Sequence, residues 1–291
     1  MPELPEVEVV RRGLADHVVG HRFTTVDVLH PRSVRTDPTL AHHLPGLVAV
    51  EACRRGKYLW LPLSDSTDAE PTVPPLAIHL RMSGQILVLS SPEPVSVHTR
   101  IIAGLDNDTW VHFVDQRTFG WWAMAEVSDS VAPDLLEVSG ALSVSGVLGE
   151  AASTSAGGVE GLAHSLKRRH GALKAALLDQ HIVSGIGNIY ADEMLWRAQL
   201  HPLQDPSRVS ERRLIELLLA GCTVMEEAIA AGGTSFDSLY VNVNGNSGYF
   251  SRSLSAYGRA GRPCHRCGTE MVSTRVAGRS AVYCPVCQRR Y

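Results

Sequence analysis

Residues 264–287 read CHRCGTEMVSTRVAGRSAVYCPVC, and they set the architecture of the C-terminal end of the chain. Two Cys-x2-Cys pairs, Cys264 with Cys267 and Cys284 with Cys287, are separated by sixteen residues. This spacing is typical of a zinc ribbon, in which each pair forms one knuckle and four thiolates surround a tetrahedral Zn²⁺. Because all four ligands are thiolates and no position stays open, we expect one structural zinc ion.

The residues between the two cysteine pairs predict a β-hairpin. Residues 271–276 and 280–283 have the composition of strands, and Ala277, Gly278 and Arg279 form the turn between them. The metal would fix the hairpin, and the hairpin would present Arg279 at its tip.

Disulfide bonds are the alternative interpretation of these cysteines, and the expected compartment weighs against them. The N-terminus is acidic and contains prolines, where a signal peptide would carry basic and then apolar residues. We therefore expect a cytoplasmic protein, in which thiols stay reduced. The remaining cysteines, Cys53 and Cys222, are predicted to be buried as small apolar residues.

The distribution of charge indicates a polyanionic partner. The 291 residues carry a net charge of −3, with 20% charged and 44% hydrophobic residues, which is typical of a globular protein of about two domains. Residues 120–166 contain six acidic residues and no Lys or Arg, whereas residues 252–291 contain eight Arg and one acidic residue. This asymmetry predicts a basic C-terminal surface that meets a polyanion.

The region before the cysteines is predicted to be helical. Apolar residues recur at helical spacing over residues 162–180, 189–198 and 207–231, and Gly232 ends the last helix. Residues 139–161 are rich in Gly, Ser and Ala and lack periodicity, so we interpret them as a linker between domains.

The first part of the chain predicts a β-sandwich led by one helix. Apolar residues recur at helical spacing from Leu4 to Val18, so a helix should begin there and end near Gly20. Alternating or apolar runs between turn-forming segments then predict strands at residues 24–29, 58–63, 76–80, 86–89, 99–105 and 110–114.

A glycine-containing turn between two predicted helices is a candidate anion site. Residues 185–190 read GIGNIY, and Asn188 would begin the second helix, where backbone N–H groups attract anions. Ordinary helix capping explains such a turn equally well. The basic run at residues 167–170 and Lys174 add positive charge nearby, although such runs are more often only solvated.

The first residues of the chain offer an unusual nucleophile. If Met1 is removed, Pro2 carries a free secondary amine beside the carboxylate of Glu3. An α-amino group titrates near about 7.7–8.0, against about 10.4 for lysine, so more of it is free base at neutral pH. Such an amine can attack an electrophilic carbon and form an iminium. By itself, a Met-Pro start usually has no catalytic role.

Several motifs, in order along nearly the whole chain, together resemble the formamidopyrimidine-DNA glycosylase family. They are residues 2–8 (PELPEVE), 55–58 (RGKY), 79–84 (HLRMSG), 115–120 (DQRTFG), 185–193 (GIGNIYADE) and the terminal ribbon. Leu4 is typical of the formamidopyrimidine branch, because the sister endonuclease VIII branch usually has Gly there.

The resemblance implies a DNA repair enzyme that acts on damaged double-stranded DNA as both glycosylase and lyase. Pro2 would attack C1′ of the damaged nucleotide through a Schiff base, and Glu3 would serve as the adjacent general acid and base. Lys57 would assist β,δ-elimination, and Arg279 would hold phosphates that flank the lesion. The implied substrates are 8-oxoguanine and formamidopyrimidines, and the implied enzyme is a bacterial cytoplasmic monomer.

The resemblance also implies a set of DNA contacts. His79 and Asn188 match phosphate-contacting positions. Met82, Arg117 and Phe119 match the residues that fill the space left by a flipped nucleotide, with Phe119 as the wedge. Without the resemblance, Met82 and Phe119 would more often be core residues. Weaker matches to DNA-contacting positions are His98, Arg169 and Lys174, and residues 232–250 match a loop that closes over the flipped base.

The implied fold is of the α+β class. An N-terminal helix and β-sandwich domain would span residues 1–130, followed by a connection over residues 131–161. A helix-two-turn-helix DNA-binding domain would span residues 162–256, and the zinc-ribbon hairpin residues 257–291.

The chain departs from the family pattern at a few positions. Arg81 replaces a usual glycine, and Arg169 stands where lysine is common. Residues 131–159 lack a recognisable family motif, which leaves the geometry of that connection open. None of these departures removes a proposed catalytic group.

Two other functions compete with this interpretation. One is a zinc-ribbon protein that recognises damaged or branched DNA without cutting it, and the presence of Pro2, Glu3 and Lys57 argues against it. The other is an enzyme that prefers oxidised pyrimidines, as in the sister branch.

Overall fold

The chain forms two compact units in a computed structural model. The model describes residues 2–36, 38–67, 70–93, 95–127, 131–140, 157–234, 243–245 and 248–290. The first unit comprises residues 1–128 with 231–251, and the second comprises residues 129–230 with 252–291. Residues 231–251 therefore belong to the first unit, although they follow a long helix of the second.

Helix α1 (Leu4–His17) opens the first unit. Its apolar residues at helical spacing, Leu4, Val7, Val10 and Leu14, are all buried. The helix begins with a capping box between Glu3 and Glu6, a device that satisfies backbone N–H groups left over in the first turn. The sequence predicted this helix and placed its end near Gly20, three residues beyond His17.

Two antiparallel sheets follow helix α1, and most of their strands are short. The described strands of this unit are β1 (Phe23–Val28), β2 (Val48–Ala49), β3 (Cys53–Arg55), β4 (Tyr58–Ser64), β5 (Val73–His79), β6 (Gly84–Leu89), β7 (Thr99–Leu105), β8 (Trp110–Asp115) and β9 (Trp121–Met124). One sheet has the order β1-β7-β8-β6 and the other β2-β4-β5-β9, with β3 paired to β4. Short connections include α2 (Leu40–His43) and a 3₁₀ turn at Pro31–Ser33.

The buried faces of both sheets and of α1 share one apolar core, which includes Phe23, Ile78, Phe113 and Trp122. All six strands expected from the sequence are present within three residues of their expected ends. The strands β2, β3 and β9 were missed. Each has only two to four residues, too few for an alternating pattern to stand out.

The second unit is helical. Its described helices are α3 (Leu135–Val138), α4 (Gly158–Lys167), α5 (Leu173–Leu177), α6 (Asn188–Arg197) and α7 (Glu211–Ala230). The prediction of one continuous helix over residues 162–180 was wrong. The chain breaks after Lys167, and Gly171 has φ 97°, a left-handed conformation that ends a helix and that glycine adopts readily. Residues 207–231 also divide, into a 3₁₀ turn at Pro206–Arg208 and α7.

The zinc-ribbon segment ends the second unit as an antiparallel hairpin of β10 (Val272–Val276) and β11 (Arg279–Tyr283). Ala277 and Gly278 form the turn with φ 48° and 77°, as two-residue hairpin turns require. The ribbon also contacts α6, because Trp196 Nε1 donates a hydrogen bond to Cys264 Sγ over 3.4 Å. The predicted α+β class, with a β-sandwich, helices and a terminal hairpin, is confirmed.

Two expectations fall largely outside the described residues. Most of the predicted linker at 139–161 and of the predicted closing loop at 232–250 is not described. Across the described helices, none combines the length and apolarity that crossing a bilayer would require.

Candidate functional site

The N-terminal residues lie at the buried start of α1. Pro2 is buried and directly precedes Glu3, which is 2% exposed and has extended backbone. The Glu3 N–H donates to Glu6 Oε2 over 2.9 Å. The helix cap therefore fixes the backbone next to Pro2, and the Glu3 carboxyl is the neighbouring acid.

Glu6 has a second contact that the sequence did not reveal. Its Oε1 accepts a hydrogen bond from the Thr234 N–H over 2.9 Å. One buried carboxylate thus joins the N-terminal segment to Thr234, the third residue of the predicted closing loop. The capping box could be anticipated from Glu3 and Glu6, but a contact across 228 residues of sequence has no local signal.

An ion pair holds α1 against the turn that carries Lys57. Arg54 on β3 donates from Nε to Glu8 Oε2 over 3.0 Å, and both side chains are buried. Arg54 also donates to the Gly56 carbonyl over 3.3 Å. Lys57 follows directly and is half-buried. The helix that starts after Pro2 and the turn before Lys57 are therefore tied to the same guanidinium.

His79 ends strand β5 as a buried neutral imidazole. Its Nδ1 accepts a hydrogen bond from the Arg81 backbone N–H over 2.9 Å, so the ring proton resides on Nε2. Burial is the largest cause of a pKa of about 3 for His79. The positive charges of Arg81, Lys57 and Arg35 also lower the pKa of His79. Without DNA, His79 is therefore an uncharged N–H donor at neutral pH.

Met82, Arg117 and Phe119 lie on two neighbouring loops. Met82 and Phe119 are 47% and 45% exposed, unusual for large apolar side chains. The Arg117 guanidinium approaches Met82 Sδ at 3.9 Å. Sequence alone favoured a core position for Met82 and Phe119, and their exposure shows that this expectation was wrong. The DNA contact implied by the resemblance stays a prediction.

Asp115 holds these two loops together. Its Oδ2 accepts the N–H groups of Phe119 over 2.8 Å and Gly120 over 2.7 Å. Its Oδ1 accepts the Arg117 N–H over 3.1 Å and the Ser83 hydroxyl. The side chain is fully buried.

The role of Asp115 was not predicted from the sequence, although a local signal for it exists. An Asp that precedes a turn commonly accepts hydrogen bonds from backbone N–H groups a few residues later. His98 lies beside this network, because its carbonyl accepts the Asp115 N–H over 2.9 Å.

In the second unit, Asn188 begins α6 as expected, with Gly187 as N-cap. Its side-chain Oδ1 is buried and accepts no hydrogen bond within the described residues. The Asn188 Oδ1 atom therefore does not cap the helix, but Gly187 occupies the cap position, so the helix-capping interpretation of this turn still stands beside that of an anion site.

Arg169 and Lys174, both expected to contact DNA, occupy opposite environments. Arg169 is exposed, with Nη2 at 3.8 Å from Asp179 Oδ2, a surface ion pair of little strength. Lys174 is fully buried, and its ammonium lies 2.6 Å from Asp192 Oδ1. The DNA contact assigned to Arg169 by the resemblance stays a prediction, and so does that of Lys174.

Four cysteines form a metal site. The Sγ atoms of Cys264, Cys267, Cys284 and Cys287 all lie within 4.8 Å of one another. Sulfurs bound at about 2.3 Å to a tetrahedral zinc would stand about 3.8 Å apart, so the cluster fits one structural Zn²⁺. Arg279 is exposed at the start of β11, directly after the turn.

The structure thus groups the predicted residues within each unit. In the first unit Lys57 lies near His79, and Met82 lies near Arg117. In the second unit the cysteines assemble and Lys174 reaches the carbonyl of Ser280, the residue after Arg279.

Three family models match the chain. The formamidopyrimidine-DNA glycosylase N-terminal domain matches residues 1–122, and the formamidopyrimidine-DNA glycosylase H2TH domain matches residues 148–239. A zinc finger found in FPG and IleRS matches residues 261–290.

Known proteins resemble the chain over its whole length. The formamidopyrimidine-DNA glycosylase of Corynebacterium glutamicum (strain R) is 52% identical over 296 residues, which cover 100% of both chains. Lactococcus lactis Fpg in a complex with DNA that contains an abasic site has a TM-score of 0.81 and 29% identity, covering 99% of this chain and 100% of that one. The same protein with DNA that contains Fapy-dG has the same TM-score, identity and coverage.

Proposed function

Because the chain belongs to the formamidopyrimidine-DNA glycosylase family, we propose that this DNA repair glycosylase removes oxidised purines from duplex DNA and then cleaves the strand as a lyase. The observation that carries the proposal is the position of Pro2. It directly precedes a buried carboxyl, Glu3, whose backbone is fixed by the cap of α1. An imino nucleophile and a general acid are thereby adjacent.

The first step is base excision. The lone pair of the Pro2 nitrogen attacks C1′, and the glycosidic bond breaks with its electrons leaving on the base, which takes up the proton that the Pro2 nitrogen loses. Glu3 protonates the ring oxygen as the sugar opens, and the Pro2 nitrogen and C1′ are left as an iminium.

The second step is elimination. The iminium accepts electrons, so the proton at C2′ becomes acidic and the 3′-phosphate departs as a double bond forms. A further elimination releases the 5′-phosphate, and water then hydrolyses the iminium and restores the Pro2 amine. Lys57 neutralises charge on a departing phosphate. Its half-buried position, fixed through Arg54, suits that task.

Access to C1′ requires that the damaged nucleotide leave the duplex, at a cost of a few kcal/mol. Exposed Phe119 and Met82 would enter the vacated space, with Arg117 beside them. His79, Asn188 and Arg279 would hold phosphates, which gives affinity and register but no sequence preference.

The proposed nucleophile is tested by borohydride trapping on a duplex with an abasic site. We expect Pro2→Gly to reduce the trapped adduct at least tenfold, because the primary amine of glycine forms a neutral imine that must gain a proton before it matches the cationic iminium of proline. Pro5→Gly is the matched control, since Pro5 lies in the same run but is an internal amide without a nucleophilic nitrogen. An unchanged yield for Pro2→Gly would count against Pro2 as the nucleophile, and no adduct with the native chain would favour a binder that does not cut.

Substrate preference is tested by comparing two duplexes. We expect faster cleavage of 8-oxoguanine opposite cytosine than of thymine glycol. The opposite order would assign the chain the pyrimidine preference of the sister branch.

We further propose that the enzyme acts as a cytoplasmic monomer with the domain limits 1–130, 131–161, 162–256 and 257–291. Light scattering of the purified protein, alone and with a duplex, tests the monomer. Limited proteolysis tests the domain limits, since cuts should concentrate at exposed boundaries.

A further inference from the structure

A buried ion pair lies beneath the hairpin that carries Arg279. Lys174 on α5 and Asp192 on α6 are 0% and 1% exposed, and their Nζ and Oδ1 atoms are 2.6 Å apart. Lys174 Nζ also donates to the Ser280 carbonyl over 2.6 Å. The ammonium is therefore surrounded by protein, and a phosphate on the surface has no route to it in this arrangement.

The pair contacts strand β11 at two points. Asp192 Oδ2 accepts the Val282 N–H over 3.1 Å, while Lys174 binds the carbonyl of Ser280. These two residues flank Ala281, and Ser280 is the neighbour of Arg279. The backbone that leads to Arg279 is thus fixed directly by the ion pair.

Helix α6 connects this contact to the other proposed phosphate contact of the unit. Asn188 is its first residue, and Asp192 follows four residues later, on the same face of a helix. A shift of β11 relative to Asp192 would therefore change the placement of Arg279 relative to Asn188.

The zinc site does not replace this contact. Cys284 follows the last residue of β11, whereas Arg279 begins the strand at the far end. Zinc holds the knuckle end of the hairpin, and the ion pair holds the end near the turn. Two fully desolvated charges give little net stability, so their hydrogen bonds to one strand are better explained by positioning.

We propose that Lys174 and Asp192 are positioning residues that set Arg279 against a DNA phosphate, and that Lys174 itself does not touch DNA. The proposal rests on the proposed function, in which Arg279 holds phosphates. It predicts that Lys174 and Arg279 act on binding as one unit.

A double-mutant cycle tests this prediction. Lys174→Met, Arg279→Ala and the double variant are compared with the native chain for affinity to a duplex with an abasic site, over a series of salt concentrations. We expect each single change to weaken binding about tenfold, as loss of one charge-assisted hydrogen bond does. The second change should then add less than about twofold, because the contact is already lost.

The dependence of affinity on salt concentration distinguishes a positioning role of Lys174 from direct binding of a phosphate. Each lost phosphate contact lowers the slope of log affinity against log salt by about 0.9. If Lys174 only positions Arg279, the slope for the double variant should fall by no more than about 0.9. A loss of about 1.8, with additive losses of affinity, would mean that Lys174 binds a phosphate itself, and the proposal would be overturned.

Two further variants keep the test decisive. Arg275→Ala removes an exposed arginine from β10 of the same hairpin, and we expect its effect to add fully to that of Lys174→Met. If Lys174→Met loses zinc or fails to fold, Asp192→Asn replaces it, since Asn keeps the volume and one acceptor oxygen. Additivity of Asp192→Asn with Arg279→Ala would equally overturn the proposal.

Failure of the proposed function gives a different result. If the native chain forms no borohydride adduct with the abasic duplex, the glycosylase and lyase scheme fails. If the native chain is trapped but the cycle is additive, only the positioning role is lost.

Discussion

Arg81 occupies a backbone conformation that suits glycine better than arginine. Its φ is 53°, in the left-handed region, where a Cβ atom is strained by roughly 1–2 kcal/mol. The family pattern usually has glycine here, and the structure gives that glycine a physical reason. Arg81 acts on His79 in two ways: its backbone N–H fixes the tautomer of the imidazole, and its positive charge lowers the pKa of His79.

We expect Arg81→Gly to be more stable than Arg81→Ala by about 1 kcal/mol, the reverse of the usual order, because only alanine keeps the strained Cβ. Both variants lack the arginine side chain, so lost contacts cancel in the comparison. Thermal unfolding of the pair measures the difference. Equal stabilities would show that the conformation carries no strain.

Glu8 is a buried carboxylate whose ionisation stabilises the first unit. Burial would raise its pKa, but hydrogen bonds from Arg11 and Arg12 and the charges of Arg54 and Arg11 outweigh it, and the pKa falls to about 2. Because the folded value lies below the ordinary 4.5, ionised Glu8 stabilises the fold above pH 4.5. That contribution disappears as the pH falls from 4.5 towards 2.

Glu8→Gln should therefore destabilise the first unit at pH 7 by roughly 3 kcal/mol, and the deficit should shrink as the pH approaches 2. Denaturant unfolding at several pH values measures it. Asp16→Asn, on an exposed position of the same helix, is the control, with an expected change within about 0.5 kcal/mol. A deficit that does not vary with pH would contradict the role of the Glu8 charge.

At the residue level, local chemistry separates what the sequence could predict from what it could not. The cysteine ligands follow from spacing alone, since Cys-x2-Cys knuckles are local structures. Glu6 and Asp192 accept backbone N–H groups, of Thr234 and Val282, that only the fold brings to them, and side-chain type alone does not indicate that. The buried position of Lys174 was missed for the same reason, because a lysine usually remains at the surface.

At the level of elements, residue Val243 ties the segment that precedes residue 251 to helix α1. Val243 is buried in the core of the first unit, and its carbonyl accepts the Val88 N–H over 2.7 Å. Its side chain lies directly over Gly13 of α1, where a Cβ atom would overlap it. Glycine at position 13 is thus required by close approach, not by backbone conformation.

Gly13→Ala should destabilise the protein by about 1–2 kcal/mol, because overpacking outweighs the gain in helix propensity. Val243→Ala restores space, so alanine at position 13 should cost less in that background. Thermal unfolding of the four chains measures both effects. A stabilising Gly13→Ala would mean that Val243 does not occupy this position.

The elements differ in how well periodicity predicts them. Strands such as β7 were found at their observed limits, because a run of seven buried or alternating residues is unambiguous. The helix break at residues 168–172 was missed because apolar residues continue on both sides of it. Gly171 was the available signal, and its position inside an apolar pattern concealed its role.

At the level of the whole molecule, the zinc site and the proposed nucleophile belong to different units. Their stabilities should therefore be separable. Cys264→Ala should abolish zinc binding and weaken affinity for the abasic duplex by at least tenfold, while the unfolding transition of the first unit stays in place.

Zinc content, duplex affinity and tryptophan fluorescence measure these effects together. Cys222→Ala is the matched control, because Cys222 is a buried cysteine of the same unit that is not a ligand. Undiminished duplex binding by the zinc-free variant would separate the ribbon from DNA recognition.

The fold class was predictable because each unit has its own local pattern: short strands first, then helices, then paired cysteines. How the described segments 231–234, 243–245 and 248–251 join the first unit was not predictable. Those contacts run through Glu6 and Val243, each of which pairs with residues more than 150 positions away.

The Pro2 amine is held by a rigid backbone, because Glu3, the next residue, is buried and caps α1. Since the Pro2 nitrogen cannot move far from α1, the damaged nucleotide must move out of the duplex to bring C1′ to it. Lesions covalently tethered to the opposite strand, such as interstrand cross-links, should accordingly resist this enzyme even when the base itself is oxidised.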